Sequence, residues 1–138
     1  MDTISDGSQL EVYEFGDSPG LADELVGLIL SGRKTATCCT MVELEKDGLS
    51  VPEAGEQKLV LNGAKEAVCI IELTEVEIKR FNEVDASFAY DEGEDDRSYE
   101  SWRREHIKYF KRTLPEYGEE FSEDMELLCE RFKVIKKL

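Results

Sequence analysis

Lys58-Leu59-Val60-Leu61-Asn62-Gly63-Ala64-Lys65-Glu66-Ala67-Val68-Cys69-Ile70-Ile71-Glu72-Leu73-Thr74-Glu75-Val76-Glu77-Ile78 is the stretch whose reading decides the fold. Lys58–Leu61 reads as a short strand. Asn62-Gly63 is a hairpin turn signal, because both residues tolerate the positive φ that tight hairpin turns need. Ala67 to Ile78 then reads as a long strand. Val68, Ile70 and Ile71 are apolar, and the alternation is cleanest at Val76 and Ile78. A hairpin of this length curls easily into a barrel wall.

Working outward, Glu11-Val12-Tyr13-Glu14-Phe15 alternates and predicts another short strand. Ser18 is a good N-cap and Pro19 suits the first helical position. Leu21, Leu25, Leu28 and Ile29 then share one helical face, and Gly32 stands where the left-handed end of a helix is expected. Thr37-Cys38-Cys39-Thr40 is strand-like. Downstream, residues 82–93 predict a short helix capped by Asn82, burying Val84, Phe88 and Ala89 and ending at Gly93. Asp96 or Ser98 caps a longer helix to about Arg112, with Tyr99, Trp102, His106, Tyr109 and Phe110 clustered on one side. Ser122 predicts a cap for a helix over 123–128 carrying Met125 and Leu128, and residues 130–136 read as a closing strand. Strands and helices mix without a β-α-β rhythm, so the expected class is α+β with a small curled sheet. A single domain over 1–138 is expected, with 1–10 a loose segment.

Hydrophobic residues make up 41% and charged residues 36% of the 138 residues, the balance of a globular chain rather than a disordered one. The formal net charge is -15. Charge of that sign repels polyanions, so duplex DNA is an unexpected partner. The four cysteines, Cys38, Cys39, Cys69 and Cys129, form no C-x-x-C pair. A cytoplasmic protein with reduced thiols is the simplest account. No leader and no membrane span are expected.

Two constellations could carry chemistry. In Gly32-Arg33-Lys34-Thr35-Ala36-Thr37, a lysine and a threonine three apart follow a helix end and lead into a strand. Such a lysine can activate a hydroxyl or bind an anion; the plain alternative is an exposed basic turn. The segment is no Walker loop, which needs two glycines and a lysine opening a helix. The second is Ala89-Tyr90-Asp91-Glu92-Gly93, followed by Asp96, Ser98, Trp102, Arg103 and His106. Glu92 reads as an orienting carboxylate or an acid/base; the plain alternative is one more solvated acid. Trp102 and His106 are i, i+4 neighbours that can stack and flank an aromatic ligand. His106 is the only histidine, and one histidine with scattered cysteines builds no zinc site. The acidic stretch 116–130 lacks the D-x-D-x-D-G calcium pattern. Neither a metal nor a cofactor is expected.

In order, a helix, G-R-K-T-x-T, a central hairpin, A-x-x-E-G, D-x-S, W-R-x-x-H and a terminal C-E-R-F-x-V resemble the ASCH domain, in particular its larger bacterial members, over roughly residues 11–136. The resemblance implies a PUA-like fold, a small curled β-barrel decorated by helices, with a cavity suited to nucleic acid or nucleoside. One ASCH branch hydrolyses N4-acylated cytidine with a lysine, a threonine and a glutamate. By motif these fall on Lys34, Thr37 and Glu92. That branch is shorter and lacks the W-R-x-x-H segment. Another branch is a ribonuclease acting on single-stranded RNA.

Those residues imply a hydrolase in which Thr37 is the nucleophile and Lys34 the base that takes its proton. A lysine base must be neutral. Burial favours that state and a nearby carboxylate opposes it, so a tight Lys34–Glu92 ion pair is incompatible with the role. Arg33 or backbone N–H groups would hold the oxyanion. Thr35, Ser98, Trp102, Arg103 and His106 complete the expected substrate contacts. The alternatives are a single-strand ribonuclease using the same surface and a non-catalytic module for RNA or a modified base. There Arg33, Lys34, Arg103 and Arg104 would meet phosphates and Trp102 would stack on a base. The expected partner is a nucleoside or short single-stranded RNA.

Overall fold

The computed structural model describes residues 10–138, so the expected loose segment lies, but for Leu10, outside the described residues. The elements run β1 (Glu11–Glu14), α1 (Pro19–Leu30), β2 (Ala36–Thr40), α2 (Met41–Lys46), β3 (Gln57–Leu61), β4 (Ala67–Arg80), α3 (Ala86–Glu92), α4 (Tyr99–Thr113) and β5 (Glu126–Lys137). The strands form one five-stranded sheet in the order β1-β3-β4-β5-β2. β1 pairs with β3 in parallel, and the other pairs are antiparallel. The class is α+β, with the sheet curled into a half-barrel. Register shifts at Ile70/Ile71 and Leu73/Glu75 sharpen the twist of the long β4–β5 pair.

The two faces of the sheet bury separate cores. On the concave face, Phe15, Val60, Cys69, Ile71, Leu73 and Phe132 pack with Leu25, Val26 and Ile29 of α1. On the convex face, Ala36, Leu127 and Cys129 pack with Phe88, Ala89, Trp102 and Phe110 of α3 and α4. Alternation along β2 and β5 decides which side chain enters which core. Ala36 and Cys38 face the helices, and Cys38 pairs directly with Cys129. Thr37 pairs with Glu130, so both sit on the concave side, where Glu130 reaches Tyr13 of β1.

Local signals set most boundaries. The Ser18 hydroxyl accepts from Leu21 N, Pro19 opens α1, and Gly32 takes φ +86° just past its end. The Ser98 side chain accepts from Ser101 N and starts α4. Three expectations are corrected, and one helix is added. No helix occupies 123–128; Glu123 and Asp124 form a turn, Phe81 N and Asn82 N donate to Met125 O and Glu123 O, and β5 opens at Glu126. Residues 82–93 are not one helix. Phe81–Glu83 is a single 3-10 turn, and α3 starts only where Asp85 caps it by accepting from Phe88 N. β5 begins at Glu126, earlier than residue 130. Thr40 caps α2, an additional short helix, by accepting from Glu43 N at 3.1 Å.

Candidate functional site

The segment 33–35 is fastened to the α3–α4 loop by backbone. Thr35 N donates to Asp91 O at 2.7 Å, and Phe132 N donates to Thr35 O at 3.0 Å. Arg33 Nε donates to Gly93 O at 2.7 Å, and Arg33 also reaches Asp95 O at 2.6 Å. Gly93 has φ +71°, and a Cβ there would stand 2.1 Å from Arg33 O. Only glycine permits this approach.

That approach delivers Lys34 to Glu92. Each residue is only 1% exposed. Lys34 Nζ lies 3.0 Å from Glu92 Oε1 and 2.8 Å from Glu94 Oε2. The other Glu92 oxygen, Oε2, faces Trp102 Nε1 at 2.8 Å, His106 Nε2 at 3.2 Å and Cys38 Sγ at 3.3 Å. His106 Nδ1 lies 2.8 Å from Trp102 O. A carbonyl can only accept, so Nδ1 carries a proton; Nε2 facing a carboxylate carries one too, and His106 is an imidazolium. Its ring stacks on Trp102 with centroids 4.4 Å apart, and Trp102 stacks in turn on Phe81 at 5.3 Å.

The electrostatics agree with that proton count. Burial opposes a charge on Lys34, but Glu92 and Glu94 more than offset it, so the ammonium is held above the ordinary lysine value. Burial would raise Glu92. Lys34 and His106, with hydrogen bonds from His106 and Trp102, carry it well below the ordinary carboxylate range. His106 is raised: burial opposes its charge, and the Glu92 charge and hydrogen bond prevail. Burial and Glu92 push the Cys38 thiol up, so it stays protonated. Two carboxylates, Glu92 and Glu94, thus balance two cations, Lys34 and His106. The donor atoms of Cys38, Glu92 and His106 lie within 4.8 Å of one another. A cation among them would have to displace protons from Cys38 and His106.

Other expected residues stand elsewhere. Thr37 is on the opposite face of β2 from Cys38, and so from Glu92. Arg103 reaches Glu123 at 2.8 Å and lies over the Phe81 ring. Arg104 contacts Glu105 at 3.2 Å and Asp95 at 3.6 Å. The Ser98 hydroxyl is engaged in its helix cap, and Thr35 Oγ1 leans on Asp91 O at 3.4 Å. A cleft of about 310 Å³ between α1 and the end of β5 is lined by Ser31, Gly32, Lys34, Thr35, Lys133 and Lys137, among others. It reaches Lys34 but not Thr37, Glu92 or Trp102. Sequence reasoning passed over Glu94 and Cys38. Cys38 could have been found, since it shares strand parity with Ala36 and hence the helix-facing side.

No described helix is long and apolar enough to cross a membrane. Among curated proteins, none matches the chain. Solved structures resemble it. A protein from Enterococcus faecalis V583 is 37% identical, with a TM-score of 0.84, over 92% of this chain and 77% of that one. An ASCH domain from Lactobacillus crispatus is 34% identical, with a TM-score of 0.85, over 96% of this chain and 83% of that one. A mutant ASCH protein from Zymomonas mobilis is 15% identical, with a TM-score of 0.50, over 83% of this chain and 68% of that one, a likeness of fold alone. The ASCH domain family model matches residues 11–136, nearly all that is described, and the chain belongs to the ASCH-domain family.

Proposed function

We propose that this ASCH-domain protein recognises a nucleoside and hydrolyses an amide of the N4-acylcytidine kind, with Thr37 as nucleophile and Lys34 and Glu92 as the pair that positions it. The observation that carries the reading is the buried Lys34–Glu92 ion pair three residues ahead of a part-exposed threonine. Buried charge is a poor device for stability alone, because apolar residues of similar size often serve as well or better. Buried charges with strongly perturbed proton affinities concentrate at functional sites.

The pair fixes the roles. Lys34 is held protonated, so it does not take the Thr37 proton. Its contribution is geometric: with the Thr35–Asp91 and Phe132–Thr35 backbone bonds, it locks the segment from which Thr37 projects. Such preorganisation is worth much in catalysis, since a misplacement of about 1 Å can cost about 10²-fold in rate. A small ligand is favoured over a long RNA strand because the arginines nearest the site are paired. Arg33 grips two carbonyls, Arg103 meets Glu123, and Arg104 meets Glu105 and Asp95.

Binding of a short single-stranded RNA without chemistry is the second reading, favoured by one observation: Lys133 and Lys137 line the cleft between α1 and β5, as phosphate contacts require. Incubation with N4-acetylcytidine and mass-spectrometric detection of cytidine separates the two. Cytidine release that is lost in Thr37→Val supports hydrolysis. No release over a range of acyl groups, together with salt-dependent binding of labelled RNA, supports the binding module. Cleavage of that RNA would replace both with a ribonuclease.

A further inference from the structure

If Lys34 is charged and Thr37 lies across β2 from Glu92, the threonine lacks a proton acceptor among the residues so far assigned. The concave face supplies one. Thr37 and Glu130 are directly opposite in the antiparallel β2–β5 pair. Side chains so placed share a face, with Cβ atoms about 4.5–5.5 Å apart. Glu130 is buried, and one of its oxygens accepts a hydrogen bond from Tyr13 O–H at 2.6 Å. That bond links the edge strand β1 to β5 across this face. Lys58, buried on the same face, lies 5.4 Å from the Tyr13 ring centroid and is paired with Glu11 and Glu56. α1 packs on the apolar part of the face. The same face thus carries a phenol, a carboxylate, an ammonium and a part-exposed threonine.

We infer that Glu130, oriented by Tyr13, is the group that takes the Thr37 proton. The inference rests on the reading of Thr37 as nucleophile given above. In the first step Thr37 Oγ bonds to the amide carbonyl carbon while its proton passes to Glu130. Collapse of the tetrahedral adduct breaks the C–N bond, and the Glu130 carboxyl returns that proton to the departing nitrogen. An acyl ester on Thr37 remains. Water then attacks the ester, giving a proton to Glu130 as its oxygen bonds to carbon. The C–Oγ bond breaks, Oγ recovers the proton, and the carboxylic acid leaves. One water is consumed, and the residues end as they began.

The groups around Glu130 suit this exchange. Burial raises its carboxyl, the Tyr13 hydrogen bond and Lys58 lower it, and Glu11 and Glu56 raise it, with a net rise above the ordinary glutamate value. Thr37 and Cys39 of β2 and Val76 of β4 complete its surroundings. A carboxylate shifted toward neutrality is a better acid and base near pH 7 than an exposed one.

The test uses an acyl donor that needs no nucleoside pocket. The full chain is incubated with p-nitrophenyl acetate, and acetylation of Thr37 is followed by peptide mass spectrometry against pH. The inference predicts acetylation that rises with pH through the Glu130 titration and falls by about 10²-fold or more in Glu130→Gln, a substitution that keeps size and the Tyr13 contact. Tyr13→Phe is predicted to move the pH midpoint upward, because the lost hydrogen bond favoured the ionised form; a purely structural role would leave the midpoint in place. Thr37 acetylation unchanged in Glu130→Gln, an unmoved midpoint in Tyr13→Phe, or no acetylation of wild type would each overturn it. Glu130-dependent acetylation in a protein that releases no cytidine from acylcytidines would refute the substrate reading and leave the Thr37–Glu130 inference standing.

Discussion

Lys34 Nζ and Glu92 Oε1 form an ion pair at 3.0 Å from which water is almost wholly excluded. The pair joins the end of α1 to the end of α3 and fixes the protonation states around it. Breaking such a pair leaves an uncompensated buried charge. Lys34→Met and Glu92→Leu are each expected to destabilise the fold by about 3–5 kcal/mol. The double variant should be less destabilised than the sum of the two by about 1–3 kcal/mol, the coupling expected for residues in contact. Urea titrations of the four proteins measure this, and strict additivity would show that the pair is not formed.

Acid and base titrations should pull the fold in opposite directions. The Glu92 carboxyl is lowered in the folded state, first against burial and then through Lys34 and His106. Its contribution is present above the unfolded value of about 4.3 and is lost as pH falls below it. His106 is raised, so its contribution is complete below about pH 6.5 and is lost as pH climbs through the higher folded value. Stability measured by thermal or urea unfolding should therefore peak between these limits. His106→Gln should flatten the alkaline side of the peak and leave its acid side sloping.

Gly93→Ala should disrupt the site without touching a charged side chain. The position has positive φ, and the new Cβ would meet the Arg33 carbonyl oxygen at 2.1 Å. The left-handed conformation alone costs about 1–2 kcal/mol, and the clash adds to it. Denaturation should show a loss of about 2 kcal/mol or more, with hydrolysis falling further than stability. Tolerance of alanine here would mean the α3–α4 loop does not hold Lys34 as described.

Ser98→Ala tests a residue expected at the substrate that instead caps α4 through Ser101 N at 3.1 Å. A lost cap costs about 1 kcal/mol. Stability should fall by that amount while KM is unchanged. A raised KM with unchanged stability would return Ser98 to the substrate.

The parts of the fold legible in sequence were those set by local chemistry. Ser18-Pro19 and Ser98 specify helix starts by capping; Asn62-Gly63 marks the connection between β3 and β4, but the positive φ falls at Lys65, and Asn62 shapes the loop by accepting from Ala64 N and Glu66 N. The helix expected over 123–128 failed because its backbone is claimed by Phe81 and Asn82, residues far away in sequence. For the site, Lys34 and Glu92 were legible as motif positions, and their contact is present. Thr37 was expected beside them. An odd separation of three residues in extended chain turns side chains to opposite faces, so that signal lay in the sequence unread. Glu130 was not legible, because only the antiparallel register of β2 against β5 sets it opposite Thr37.

The central claim is that Thr37 does the chemistry and Lys34 with Glu92 holds it in place. The most direct measurement is cytidine released from N4-acetylcytidine by wild type and by Thr37→Val, which removes the hydroxyl at nearly constant volume. The account predicts release by wild type and none by a Thr37→Val protein that stays as stable as wild type within about 1 kcal/mol. Equal release by both proteins, or none by either, would contradict it.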